Sequence, residues 1–229
     1  MIVETIAVLF HIGPFGITRT VVITWGIMAV LAMLSWVLTR RLTLDPSPLQ
    51  TALEGVVATI ESGISAVLPK QARLVLPFVA TLWVYITVAN LLGIIPGLNS
   101  PTADLSQTAA LAVLVFLSVH WYGVRSEGLV GYLKHYLVPN PLLLPFHVVS
   151  EISRTIALAL RLFGNMMSLE MAALLVLFVA GFLAPVPLLM LHVVEALVQA
   201  YIFGMLALAY IAGGIHSQQS LDQQSGENS

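Results

Sequence analysis

The chain has 229 residues, of which 59% are hydrophobic and 9% charged, and its mean hydropathy is +0.96, whereas soluble domains carry about 25% charged residues. That composition places it in a lipid bilayer and excludes a water-soluble globular domain. Cysteine is absent and the formal net charge is −2, which excludes disulfides and thiolate metal sites and offers nucleic acid no basic surface.

The N-terminal stretch MIVETIAVLFHIGPFG has an apolar run with no basic segment before it and no small-residue cleavage site. A removed signal peptide is therefore not expected. A spanning helix needs about 20 apolar residues, and 20–38 supplies the first, closed by Arg40 and Arg41. Over 49–68 the pattern changes: Leu49, Leu53, Val56, Val57, Ile60 and Ile64 recur at helical spacing with Glu54, Thr59 and Glu61 between them. This spacing predicts an amphipathic helix on the membrane surface or against its neighbours.

Two further spans are expected over 74–95 and 105–122, separated by the Pro96-Gly97 turn and GLNSPTAD. Asn90 and Asp104 flank that loop and are read as capping or hydrogen-bonding helix ends rather than conducting ions. Trp25, Trp36 and Trp121 read as interfacial anchors, Trp83 as a deeper packing residue. The last apolar stretches, 142–183 and 188–215, are joined by Ala184-Pro185-Val186-Pro187, a helix-hairpin break. At 1.5 Å per residue they would run about 60 Å and about 42 Å, so both must tilt steeply or bend. The membrane domain thus covers 1–216, and the polar segment 217–229 is expected to be a disordered tail. Arg40, Arg41, Lys70, Arg73, Arg125 and Lys134 fall on one side of this topology and Arg19 on the other. The positive-inside rule then puts the N-terminus outside and the C-terminus in the cytoplasm.

Arg161, in ALALRLFGNMM, is too far from either end of its span to reach water by snorkelling. A charge at the bilayer centre costs upwards of about 2.5 kcal/mol, so it must meet a charge within the protein or face a polar cavity or partner. On an ideal helix His147, Ser150, Arg154, Asn165 and Ser168 lie within about 40° of its direction, one polar stripe on an apolar rod. Glu170 points to the opposite side, toward the following helix. There His192, Glu195 and Gln199 share an arc of about 60°. Glu170 and this second face can meet near the hairpin turn, either as a polar packing site or as an ion path.

These residues resemble a family. The stretch SRTIALALRLFGNMMSLE, with Arg161, Gly164, Asn165 and Glu170, is similar to the hallmark helix of bacterial ATP synthase subunit a. The resemblance extends to VQAYIFGMLALAYI, SPTADLSQTAALAVLVF, YITVANLLGIIPG and QTALEGVVATIESGI, nearly the whole chain apart from the tail. It implies an all-α membrane protein of five transmembrane helices plus one surface helix, its last two helices a tilted hairpin curled around a rotor ring of c subunits. It also implies a place in the bacterial inner membrane beside peripheral-stalk b subunits, in a complex whose catalytic sector carries the ATP chemistry. No cofactor or metal is implied. By resemblance Arg161 faces the ring carboxylates between two half-channels for H⁺ or Na⁺, Gln199 lies beside it, and Asn165, Glu170 and His192 line the outer half-channel. Two positions depart from the family pattern. His147 stands where many members carry an acid near the inner half-channel, which Ser150 shares. His192 stands where many carry Glu, and Glu195 supplies a carboxylate nearer Gln199. A transporter or channel working alone would also use embedded ionisable groups, but no inverted repeat is visible. An intramembrane enzyme would need a nucleophile, and there is neither cysteine nor a serine in a GxSxG setting.

Overall fold

A computed structural model describes residues 8–12, 15–40, 47–95, 98, 100–137, 144–181 and 184–227. The expected Pro96-Gly97 turn, Arg41 and the side chain of Lys134 lie outside the described residues. Ahead of the first span an antiparallel pair, β1 (Val8–Ile12) and β2 (Phe15–Thr18), aligns Val8 with Thr18 and Ile12 with Phe15. Hydrophobic periodicity gives no sign of these strands.

Helix α1 (Arg19–Thr39) is apolar all round and exposes most of its surface, as a lipid-facing span does. At its end the Arg40 guanidinium stacks 3.5 Å above the Trp36 ring. Helix α2 (Pro48–Val67) starts where Ser47 Oγ accepts a hydrogen bond from Gln50 N, with Pro48 in the first turn, where its missing N–H is harmless. It buries Ile64 against α3 and α6 and leaves Leu49, Leu53, Val56 and Val57 exposed.

Helix α3 (Ala72–Leu92) is the central wall. It buries Val75, Val79, Leu82, Ile86, Ala89 and Asn90. A single 3-10 turn, Pro101–Ala103, then folds back under it, and Asp104 Oδ1 caps the next helix by accepting from Ser106 N at 2.9 Å. Helix α4 runs from Leu105 to Leu137 with a break at Gly128, whose φ of 80° is open to glycine at little cost. Its apolar spanning part ends at Ser126; the chain stays helical beyond the expected limit at Tyr122.

Helices α5 (Leu144–Ala180) and α6 (Val186–Glu227) form the long hairpin. Gly181, at φ 83°, ends α5, and Leu189 N bonds back to Pro185 O to start α6. The last residues differ from expectation: α6 stays helical through Glu227, over a segment read as a disordered tail. No Pro or Gly interrupts 215–225, and adding residues to an existing helix avoids the nucleation penalty. At the centre of the bundle Leu158, Leu162 and Met166 of α5 share one apolar core with Ile86 of α3, Leu111 and Val115 of α4, and Ala200, Phe203 and Ala207 of α6. The result is an all-α membrane protein with, among the described residues, five helices long and apolar enough to cross a bilayer, and α2 beside them.

Candidate functional site

Arg161 stands near the midpoint of the 37-residue α5. Its side chain is exposed on the outer surface of the chain, and among the described residues it makes no hydrogen bond or ion pair. The internal pairing that would have made it a structural arginine is not formed there. Arg154 and Ser168, both exposed, share its direction on α5, and the flanks of that exposed surface are apolar, with Ile156, Leu160, Met167 and Met171 uncovered. Only 11% of the α5 spanning window is buried, against 44% for α3. The hairpin therefore presents a long uncovered apolar face with one fixed positive charge at mid-depth, a face that hydrocarbon alone would not satisfy.

One turn further along, Asn165 turns inward and its Nδ2 donates to Gln199 Oε1 at 2.8 Å, which ties α5 to α6. Gln199 is 1% exposed, and its Nε2 has no hydrogen-bond partner among the described residues. Ser168 is exposed on the Arg161 side of the helix. Glu195 is half-buried and makes no hydrogen bond or ion pair among the described residues.

Toward the hairpin turn a polar cluster gathers α3, the 3-10 turn, α5 and α6. Glu170 Oε1 accepts from Ser100 N at 2.7 Å. Ser100 Oγ donates to Ala89 O at 2.8 Å, Thr102 Oγ1 donates to Asn90 Oδ1 at 2.6 Å, and Asn90 Nδ2 donates to Ala196 O at 3.2 Å. His192, 2% exposed, lies with Nε2 3.3 Å from Asn90 O. Since a carbonyl only accepts, that contact needs the proton on Nε2, which leaves Nδ1 as the acceptor of a neutral ring. Glu170 and His192 come together over Gly93: a Cβ there would stand 3.0 Å from Glu170 Oε1 and 3.3 Å from His192 Cε1. Asn90 is thus no helix cap. It is buried at the centre of this network, and Asp104 alone of the two performs the capping expected from sequence.

At the opposite end of the bundle a cavity of about 340 Å³ opens between α4, α5 and α6. His147, Ser150, Glu151, Arg154, Thr155 and Tyr210 supply its polar lining, and the Arg154 guanidinium lies 5.8 Å from the Tyr210 ring centre. His147 and Ser150 are exposed and sit together here, away from the Glu170 and His192 cluster. The two polar regions lie toward opposite ends of the bundle, with Arg161 between them along α5. Sequence reading does not find Asn90, Ser100, Thr102, Glu151 and Tyr210 as members of these regions. Their only sequence signal is a polar group inside or beside an apolar run.

The chain matches the family model described as "ATP synthase A chain" over residues 21–212. It is 64% identical over 217 residues to a protein named ATP synthase subunit a 2 from Pelobacter propionicus, covering 95% of each chain. It is 65% identical over 205 residues to ATP synthase subunit a 1 from Hahella chejuensis, covering 90% of this chain and 87% of that one. With ATP synthase subunit a from Legionella pneumophila it shares 57% over 215 residues, 93% of this chain and 94% of the relative.

Proposed function

Since this chain belongs to the ATP synthase A chain family and is a multi-pass membrane-sector subunit of an F-type ATP synthase, we propose that it is the ion-translocating stator, which carries ions to and from a rotor ring through two offset half-channels. The observation that carries the reading is Arg161, exposed and unpaired among the described residues at the midpoint of α5. A charge so placed needs a counter-charge from outside the chain, and ring carboxylates passing the uncovered α5–α6 face would supply it.

In this reading an ion enters from outside past Glu170, His192 and Glu195, with Asn165 and Gln199 leading toward Arg161. It binds a ring carboxylate, travels with the ring, and leaves inward through the cavity of His147 and Ser150. Arg161 keeps the two paths apart. A guanidinium holds its proton under all working conditions, so it cannot relay one. Its fixed charge favours the ionised carboxylate and so drives release as each carboxylate arrives. Each elementary charge crossing yields about 2.3 kcal/mol per 100 mV, so several ions must cross per nucleotide. That is what a ring provides, and the ATP chemistry resides on the catalytic sector.

The same reading assigns the chain to the bacterial inner membrane, and the distribution of its basic residues favours an N-terminus outside. The exposed face of α2 and the bundle rim are left for lipid and for the peripheral-stalk b subunits. The test is Arg161→Ala in the assembled complex reconstituted in liposomes. Loss of ATP-driven ion uptake, with passive leak through the membrane sector equal or greater, is the expected result. Coupled uptake at the unaltered rate in an assembled variant would overturn the stator reading.

A further inference from the structure

Four buried oxygens stand in a row at the outer end of the bundle. Ser100 Oγ lies 2.8 Å from Ala89 O and 2.6 Å from Thr102 Oγ1, which in turn lies 2.6 Å from Asn90 Oδ1. The backbone carbonyl and the amide oxygen at the two ends only accept, and each hydroxyl between them has one proton to give. Two protons thus serve three short contacts, and one contact always sets oxygen against oxygen. Turning the Asn90 amide over would complete the row, but it would set Oδ1 against Ala196 O, which Nδ2 now meets at 3.2 Å. The shortage moves and does not disappear. Ser100, Thr102 and Asn90 are 3%, 0% and 0% exposed, so bulk water does not relieve it.

We propose that this row binds a monovalent metal cation of sodium's size, as a stopping place for the transported ion in the outer half-channel. The proposal rests on the half-channel reading above and names its ion. A cation supplies the positive charge that a row of oxygens short of protons lacks, and carbonyl and hydroxyl oxygens are the ligands that hard cations take. Ala89 lies in the last turn of α3, where carbonyls have no intrahelical partner and the helix dipole is negative. Helix ends of this kind coordinate Na⁺ in membrane transporters. Glu170 stands next to the row, its Oε1 accepting from Ser100 N at 2.7 Å, and one carboxylate balances one positive charge. The Asp104 carboxylate is occupied in capping α4 through Ser106 N and Oγ. His192, which gives its Nε2 proton to Asn90 O, is neutral in that contact and brings no competing charge. The contacts of 2.6–2.8 Å leave a closely packed row, so a small ion requires the least expansion. The ion exchanges water for these oxygens and gives them up again as it moves on, with no covalent bond made or broken.

The experiment uses the assembled complex in liposomes with Arg161 intact. ATP synthesis is driven by an imposed membrane potential at one fixed pH, while Na⁺ is varied in the lumen, the face to which the outer half-channel opens, and choline keeps the ionic strength constant. The rate in the unaltered complex should rise with luminal Na⁺ and saturate. Thr102→Val, which keeps the shape and removes the hydroxyl, and Ser100→Ala should each raise the half-saturating Na⁺ by about tenfold, the low end of the 10–100-fold that losing a supporting partner costs a metal site. Thr102→Ser restores the hydroxyl and should restore the half-saturation. Protection of the ring carboxylates by Na⁺ against a carbodiimide reports on the ring alone and should be the same in all of them, which places the shift in this chain. If Thr102→Val does not assemble, Ser100→Ala carries the same test. Synthesis indifferent to luminal Na⁺, or variants that lower the rate and leave the half-saturation unmoved, would overturn the proposal and reduce the row to polar packing. Either failure leaves the half-channel reading in place with the proton as its ion, since that reading is decided by Arg161→Ala.

Discussion

Asn165 Nδ2 donates to Gln199 Oε1 across the α5–α6 hairpin at 2.8 Å, one turn from Arg161. The other end of the Gln199 amide, Nε2, is buried without a partner among the described residues. Leaving a buried donor unmet costs about 1–3 kcal/mol, so the Asn165 bond to Oε1 is what satisfies this amide among the described residues.

Replacing Asn165 with Leu would leave both ends of the Gln199 amide unmet. The expected loss is about 1–3 kcal/mol in the stability of the assembled complex, read as a lower denaturation temperature, together with slower ATP-driven ion uptake. Pairing Asn165→Leu with Gln199→Leu removes the orphaned groups, so stability should return while uptake stays impaired. A double variant with normal uptake would mean that the amide pair only joins two helices.

Gly93 has an ordinary helical backbone, φ −62°, so alanine is conformationally acceptable there and only its methyl group matters. That methyl would stand 3.0 Å from Glu170 Oε1, 3.1 Å from Ser100 Cβ and 3.3 Å from His192 Cε1. Gly93→Ala should therefore assemble normally but push the Glu170 carboxylate and the His192 ring apart by a few tenths of an ångström. Uptake should fall by about threefold to tenfold, short of the ~100-fold that a full ångström of misplacement can cause. Unchanged uptake would show that the cluster tolerates displacement and that its spacing does not limit the rate.

The spans are legible in the sequence because a bilayer imposes one minimum apolar length on every crossing helix; α1 and α3 fall within three residues of their expected limits. Arg161, Asn165 and Gln199 are each legible for a related reason, since a few polar groups at helical spacing stand out on apolar rods, but the Asn165–Gln199 bond across the hairpin is not. Asn90 reads locally as a cap because nothing near it in sequence shows that its amide reaches Ala196 O, 106 positions away. The same holds for Ser100, whose N–H meets the Glu170 carboxylate 70 positions away. The β1–β2 hairpin leaves no trace in a periodicity dominated by apolar residues, and α6 runs past Ile215 because helix continuation needs no further apolar face.

Trp83 and Gly204 provide a last check, on how α3 is set against α6. The Trp83 indole is stacked on Tyr201, with ring centroids 5.9 Å apart and planes 14° from parallel, and Nε1 donates to Tyr201 O at 3.3 Å. The ring lies directly on Gly204, where a Cβ would overlap it. Small residues at such crossings let helices approach closely in lipid, where packing replaces the hydrophobic effect as the driving force. Gly204→Ala forces Trp83 out of its stack and α3 away from α6, an overpacking penalty of about 1–3 kcal/mol. Less intact complex should be recovered on native gels, and ion uptake per assembled complex should fall because His192 and Gln199 ride on the same helix. Trp83→Leu in the Gly204→Ala background frees that volume and should restore much of the assembly. If Gly204→Ala assembles as well as the unaltered chain, the close approach of the two helices at Gly204 is not what sets their crossing.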